Sequence, residues 1–225
     1  MIIICTHKSP DTLSQFLSSI RKYSKENHKI LCVETSESQI SKSVAEKYDA
    51  LLENSELKYE IGAFNYATNA YPDENEYFMF QDSMEIVAKD WEDILRVPSE
   101  GTKLVALSAY KLIDDPCPGC GENVFYDLFK KSWPLYNAYG VLTNSFYVPK
   151  IAKDKLKKFG IDQLKAECKN DTFGTERIIG AIAYYACGFD HSANFLGEDW
   201  VWDATHFRHN TGFTKYIYKH VLSRQ

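Results

Sequence analysis

Three short runs of consecutive apolar residues each break off into polar ones. Ile2-Ile3-Ile4-Cys5 leads into Thr6-His7-Lys8, Ile30-Leu31-Cys32-Val33 into Glu34-Thr35-Ser36, and Tyr77-Phe78-Met79-Phe80 into Gln81-Asp82-Ser83. Successive side chains of a strand point to opposite faces, so a strand that is apolar throughout must be covered on both. That is the condition of a parallel sheet with helices on either side. Helix signals lie between the runs. Ser9 is placed as a cap with Pro10 at the first helical position, and Leu13, Phe16, Leu17 and Ile20 follow at helical spacing. A second helix passes through Val44, Ala45 and Tyr48, and a third runs from Ile61 to about Tyr71, broken by Pro72. This βαβ rhythm predicts an α/β fold: a doubly wound, Rossmann-type, mostly parallel sheet flanked by helices, with right-handed crossovers. Ligands of such sheets bind beyond the carboxyl ends of the strands, near a switch in strand order. The polar ends Thr6-His7, Glu34-Thr35-Ser36 and Asp82-Ser83 are therefore expected to meet in one crevice.

The second half is less regular. Trp91 to Leu95 reads as a short helix and Leu104 to Leu107 as a strand. Residues 114–140, with Pro116, Pro118, Gly119, Gly121 and Pro134, read as a long excursion. Val141 to Val148 alternates like a strand. A helix is expected to open at Gly174-Thr175-Glu176 and to end at Cys187 before Gly188, and a short helix is expected from Phe213 to Leu222. No internal repeat and no Gly-, Ser- or Pro-rich linker divides the chain.

Composition narrows the function classes. The chain has 225 residues, 44% of them hydrophobic and 25% charged, which fits an ordinary globular protein able to fold without disulfides or a structural metal. The net charge of −5 argues against a general nucleic-acid binder. The apolar start is too short for a signal sequence, and no run approaches the ~20 apolar residues of a membrane span, so a cytoplasmic location is expected. Cys5 and Cys32 sit within apolar runs and read as small buried hydrophobes. Cys117-Pro-Gly-Cys120 is a lone close pair, open to readings as free thiols in a loop, a metal or disulfide knuckle, or a redox pair.

The order of these motifs resembles the GT-A-fold glycosyltransferases. Ile4-Cys5-Thr6-His7-Lys8-Ser9-Pro10-Asp11-Thr12-Leu13 is similar to their opening strand and turn, and Val33-Glu34-Thr35-Ser36 to the carboxylate end of their second strand. Gly62-Ala63-Phe64-Asn65-Tyr66-Ala67, then Glu76 to Asp82, resembles their third helix and the strand leading into a D-x-D motif. Tyr139-Gly140-Val141-Leu142 and Gly174-Thr175-Glu176-Arg177 resemble acceptor-side elements. The compact chain and the Gln81-Asp82-Ser83-Met84 stretch are also similar to small glycosyltransferases encoded by large algal DNA viruses. The resemblance implies one GT-A-like domain over 1–225. Residues 1–88 would be the nucleotide-sugar half, and 89–225 the acceptor-side half with a closing C-terminal segment.

The resemblance also assigns roles. Asp82 matches the first Asp of D-x-D, where carboxylate oxygen holds Mn²⁺ or Mg²⁺ against the donor's diphosphate. The second Asp position is Met84, which cannot bind a hard cation, and Glu85 lies one residue too far. The plain alternative is that Asp82 caps a turn. His206 and His209 are candidates to complete the metal site and Arg208 to pair with phosphate, against a reading as surface residues of a polar tail. Lys215 is a weaker phosphate candidate. Thr6, His7 and Glu34 would line the base or ribose, with Ser83 beside them; capping is the alternative for Glu34. Gly62 and Asn65 would let the backbone approach the donor and bond ribose or phosphate, against a helix-surface amide for Asn65. Glu176 would be the base that takes the acceptor's proton, although a Glu in a helix's first turn is equally explained by the helix dipole. Glu198 and Asp199 are runners-up, and Trp200 and Trp202 are candidates to stack on a sugar or to pack in the core.

The activity these roles imply is transfer of a hexosyl or deoxyhexosyl unit from a nucleotide-diphosphate sugar, UDP-sugar favoured, to a glycan or glycoprotein hydroxyl. A non-catalytic nucleotide- or carbohydrate-binding module is the competing reading, motivated by the missing second Asp. A nucleotidyltransferase is disfavoured, because no Gly-rich loop bearing Lys or Arg follows the first strand.

Overall fold

A computed structural model describes residues 1–6, 10–35, 42–87, 89–111, 139–141, 144–190, 207–208 and 213–215. The three apolar runs form β1 (Ile2–Thr6), β2 (Ile30–Glu34) and β4 (Glu76–Gln81), with β3 (Leu51–Asn54) between the last two in sequence. Helices α1 (Pro10–Tyr23), α2 (Lys42–Lys47) and α3 (Tyr59–Ala70) connect them. Then come β5 (Met84–Ile86), α4 (Trp91–Ser99), β6 (Leu104–Ala106), β7 (Ala109–Lys111), β8 (Tyr139–Val141) and β9 (Phe146–Pro149). The chain continues with α5 (Lys150–Lys158), α6 (Lys169–Ala186), β10 (Phe189–Asp190), β11 (Phe207–Arg208) and β12 (Phe213–Lys215).

Seven strands make the main sheet in the order β10-β6-β9-β4-β1-β2-β3. β1 lies parallel between β2 and β4, and only β9 runs against its neighbours. The chain steps outward from β1 to β2 and β3, then returns to the other side of β1 as β4, so strand order reverses between β1 and β4. The full apolarity of the strands now has its reason. Ile3, Cys5, Leu31, Val33, Tyr77 and Met79 pack on one face against α3, α5 and α6. Ile2, Ile4, Ile30, Cys32, Phe78 and Phe80 pack on the other against Leu13, Phe16, Leu17 and Ile20 of α1 and Trp91 and Leu95 of α4.

Several expected elements differ. β3, β5 and α5 were not anticipated. β3 is an edge strand with partly exposed side chains, so its residues carry no apolar run. The expected strand over 141–148 is two: β8 pairs with β7 and β9 enters the main sheet, with Asn144 between them in the left-handed region at φ 49°. α6 opens at Lys169 rather than Gly174, because Asp171 accepts from the backbone N–H groups of Glu167 (2.8 Å) and Cys168 (3.2 Å) and so fixes the helix start. Phe213 to Lys215 is a strand, not the start of a helix, because its backbone pairs with β5 and β11.

α6 also explains Gly180. A Cβ there would lie 1.6 Å from the carbonyl oxygen of Tyr139, so helix and β8 touch through backbone. Gly180→Ala is expected to cost about 3 kcal/mol or more, roughly 6–12 °C in Tm for a chain of this size, measured by thermal unfolding.

Candidate active site

The carboxyl ends of β1, β2 and β4 meet at one edge of the sheet. Thr6 and Glu34 are register partners across β1 and β2, and Cys5 is the partner of Gln81 across β1 and β4. The Thr6 hydroxyl donates to Asp82 Oδ2 at 2.9 Å, spanning the place where strand order reverses. Thr6, Glu34, Asp82 and Ser83 are all buried, and Ser83 Oγ donates to Gln81 Oε1 at 3.5 Å. The polar strand ends expected to meet do stand together at this edge: Thr6 is beside Glu34 and bonded to Asp82. Helix direction adds to it. Parallel strands follow α1, α3 and α6, so all three helices begin at this edge and bring the positive ends of their dipoles to it.

The carboxylates there act on one another's surroundings. Burial, followed by the charges of Asp82 and Glu34, pushes the Cys32 thiol up to about 12. Burial, then the charges of Glu60 and Asp82, holds the Cys5 thiol well above its usual value, opposed by a contact to Thr35 and the charge of Lys169. Glu60 was not singled out from the sequence. It stands in the first turn of α3, buried, and accepts from Gln81 Nε2. Only its place two residues before Gly62 hinted at it.

Other candidates are corrected. Gly62 gives no room to a ligand: a Cβ there would meet the Leu57 carbonyl carbon and oxygen at 2.6 Å, so the close approach is that of the chain's own backbone. Asn65 is neither a donor-site amide nor a surface one. It is buried, and its Nδ2 donates to the carbonyls of Ile161 (3.3 Å) and Leu164 (3.2 Å). Glu176 is not in a first turn. It is the eighth residue of α6 and 8% exposed, so the helix-dipole explanation does not apply to it. Its neighbour Arg177 is buried as well and donates to the Phe173 carbonyl at 2.6 Å.

The D-x-D departure has a structural counterpart. Met84 is the first residue of β5 and its side chain is buried in the core on the α1 face. Glu85 points the other way, into a surface groove with Ser14, Ser18, Lys22 and Tyr48. β12 pairs antiparallel with β5, placing Lys215 opposite Met84, and β11 pairs with β12, placing Phe207 opposite Lys215. The C-terminal segment thus lies against the strand that leaves Asp82. Phe207 marks the Asp82 end of this hairpin, and Arg208 lies one step farther off. His7, His206, His209, Cys117, Cys120, Glu198, Asp199, Trp200 and Trp202 lie outside the described residues, and for Arg208 and Lys215 only the backbone is described.

A metal's demands fit part of this edge. Asp82 presents a buried carboxylate, and Oε2 of Glu60 is buried with no hydrogen-bond partner among the described residues. The opposite edge of the sheet holds Glu26, His28 and Glu76 with ligand atoms within 4.8 Å of one another. Arg96 closes that cluster, donating to both Glu26 oxygens at 2.7 and 3.0 Å and to Glu76 at 2.9 Å.

No family model and no curated protein matches the chain. Solved structures do. Mannosyl-3-phosphoglycerate synthase from Rubrobacter xylanophilus aligns with a TM-score of 0.50 at 16% identity, over 81% of this chain and 72% of that one. Glucosyl-3-phosphoglycerate synthase from Mycobacterium tuberculosis, in complex with Mn²⁺, UDP-glucose and phosphoglyceric acid, aligns at 0.50 and 14% identity over 85% and 80%. S. aureus TarS aligns at 0.50 and 12% identity over 86% of this chain and 37% of that one. The fold is the GT-A type. At these identities the likeness speaks for architecture. No helix among the described residues is long and apolar enough to cross a membrane.

Two outcomes check this edge. Thr6→Val, which keeps volume and removes the hydroxyl, should lower stability in urea unfolding by about 1–3 kcal/mol, while Thr6→Ser stays closer to the parent. Raised pKa values keep Cys5 and Cys32 as protonated thiols at pH 8. Peptide mapping after alkylation of the folded protein should therefore find exposed Cys168 labelled, and Cys5 and Cys32 labelled only after unfolding.

Proposed function

We propose that this chain is a glycosyltransferase that moves a hexosyl or deoxyhexosyl unit from a nucleotide-diphosphate sugar, UDP-sugar favoured, to a glycan or glycoprotein hydroxyl. The observation that carries the reading is the Thr6–Asp82 hydrogen bond at the switch point of a GT-A-type sheet, with Glu34 beside it. An open α/β sheet binds its ligand there. Mn²⁺ and UDP-glucose in the mycobacterial relative are consistent with that donor class. In this reading the chain is one GT-A-like domain, with 1–88 holding the donor and 89–225 shaping the acceptor side. The likeness to algal-virus enzymes rests on the compact chain and the Gln81–Met84 stretch.

The residues divide the work. Glu34, with two acceptor oxygens at the end of β2, receives hydroxyls of the ribose or the N–H of the base. Thr6 fixes the Asp82 carboxylate, and Thr6, His7 and Ser83 line the donor. Asp82 holds Mn²⁺ or Mg²⁺, with His206 or His209 as the further ligand and Arg208 as the phosphate partner. The cation, when bound, neutralises charge that grows on the leaving diphosphate. Glu176 takes the acceptor's proton as its oxygen attacks the anomeric carbon.

A purified sample tests this directly. UDP with Mn²⁺ near a hundredfold its Kd should stabilise the protein by about 2.7 kcal/mol, roughly 5–10 °C in Tm, and Asp82→Ala should abolish the shift. Absence of any shift across UDP- and GDP-sugars would refute the donor reading. Met84 in place of a second Asp favours one rival, a binding module without turnover. Donor hydrolysis that disappears in Asp82→Ala would eliminate it. If transfer inverts the anomeric centre through Glu176, Glu176→Gln loses most of the rate, by about 10²-fold or more.

A further inference from the structure

Glu60 is a carboxylate in an expensive position. It is 8% exposed, one oxygen is bonded to Gln81 Nε2, and the other is buried without a partner among the described residues. Burying a charged oxygen without a hydrogen bond costs free energy that some other interaction must offset. The N-terminal dipole of α3 contributes, but it would do so equally for a first-turn Glu left in water. The surroundings point further. Gln81, which Glu60 holds, is the residue before Asp82, and Ser83, which donates to Gln81, is the residue after it. The charges of Glu60 and Asp82 both raise the Cys5 thiol, after burial. The second acidic position of the motif is spent on Met84, whose side chain is in the core.

We propose that Glu60 is a positioning residue for the cation site at Asp82: a fixed buried charge standing in for the one Met84 withholds. This rests on the metal-assisted donor reading of the same edge. In this proposal Glu60 acts through its field. A negative charge a few ångströms beyond the ligand shell still favours a divalent ion, because the interior screens it less than water does.

Two substitutions separate charge from brace. Glu60→Gln keeps an oxygen that can accept from Gln81 and removes the charge. Glu60→Asp keeps the charge and is one methylene too short for the brace. The measurement is Mn²⁺ titrated into the full chain with UDP present, read as loss of the free-ion EPR signal against a UDP-only control, with Tm recorded in metal-free buffer. Glu60→Gln should weaken Mn²⁺ binding about fivefold or more while its metal-free Tm stays at or above that of the parent. Glu60→Asp should bind within about twofold of the parent, and Asp82→Asn should not bind. Parent-like Mn²⁺ affinity in Glu60→Gln overturns the inference and leaves the donor reading standing. Equal losses in Gln and Asp also overturn it, since the brace alone would then matter. A parent protein that takes up no Mn²⁺ removes the metal reading itself and this inference with it.

Discussion

β1 is buried on both faces and hydrogen-bonded on both edges, and its last side chain reaches across the strand-order reversal to hold Asp82. The rest of the molecule is arranged around that strand. Ile2 and Ile4 anchor one helical layer and Ile3 and Cys5 the other, so the strand cannot slide by one residue without exchanging its two sets of contacts. With the register fixed, Thr6 must stand beside Glu34, and Cys5 beside Gln81. The polar groups at the edge thus inherit their positions from the apolar packing beneath them.

That packing also explains how carboxylates can be buried together. Glu34, Glu60 and Asp82 converge where three helices begin, and backbone dipoles there favour negative charge. A further anion would sit at this edge only with a cation between, since like charges repel. Asn65 and Gly62 serve this region indirectly. Asn65 ties α3 to the Ile161–Leu164 turn, and Gly62 lets the chain at Leu57 fold closely over the helix. On the far side of α3, Lys153 and Lys157 donate to the carbonyls of Pro72 (2.8 Å) and Thr68 (3.0 Å), securing the end from which β4 departs.

Much of this was legible from residue order because the signals were local and strong. Three wholly apolar runs could be nothing but doubly covered strands, and Pro10 and Pro72 bracketed helices at α1 and α3. Thr6, Glu34 and Asp82 were legible as partners because a parallel sheet sends all its carboxyl ends one way. What failed was local in appearance and tertiary in cause. Phe213–Lys215 has no apolar run of its own and became a strand because β5 offered it a free edge. Glu176 looked like a first-turn residue until Asp171 fixed the start of α6 five residues earlier.

Residue order alone sets the layering, the direction of the central strands and the edge where polar groups collect, since all three follow from burying apolar side chains at a period of two. Which polar groups face each other emerges from long-range packing instead. Glu60 met Gln81, Asn65 turned inward to a distant turn, and Met84 went to the core, because each outcome depends on what a different part of the chain places alongside, and no short-range pattern records that.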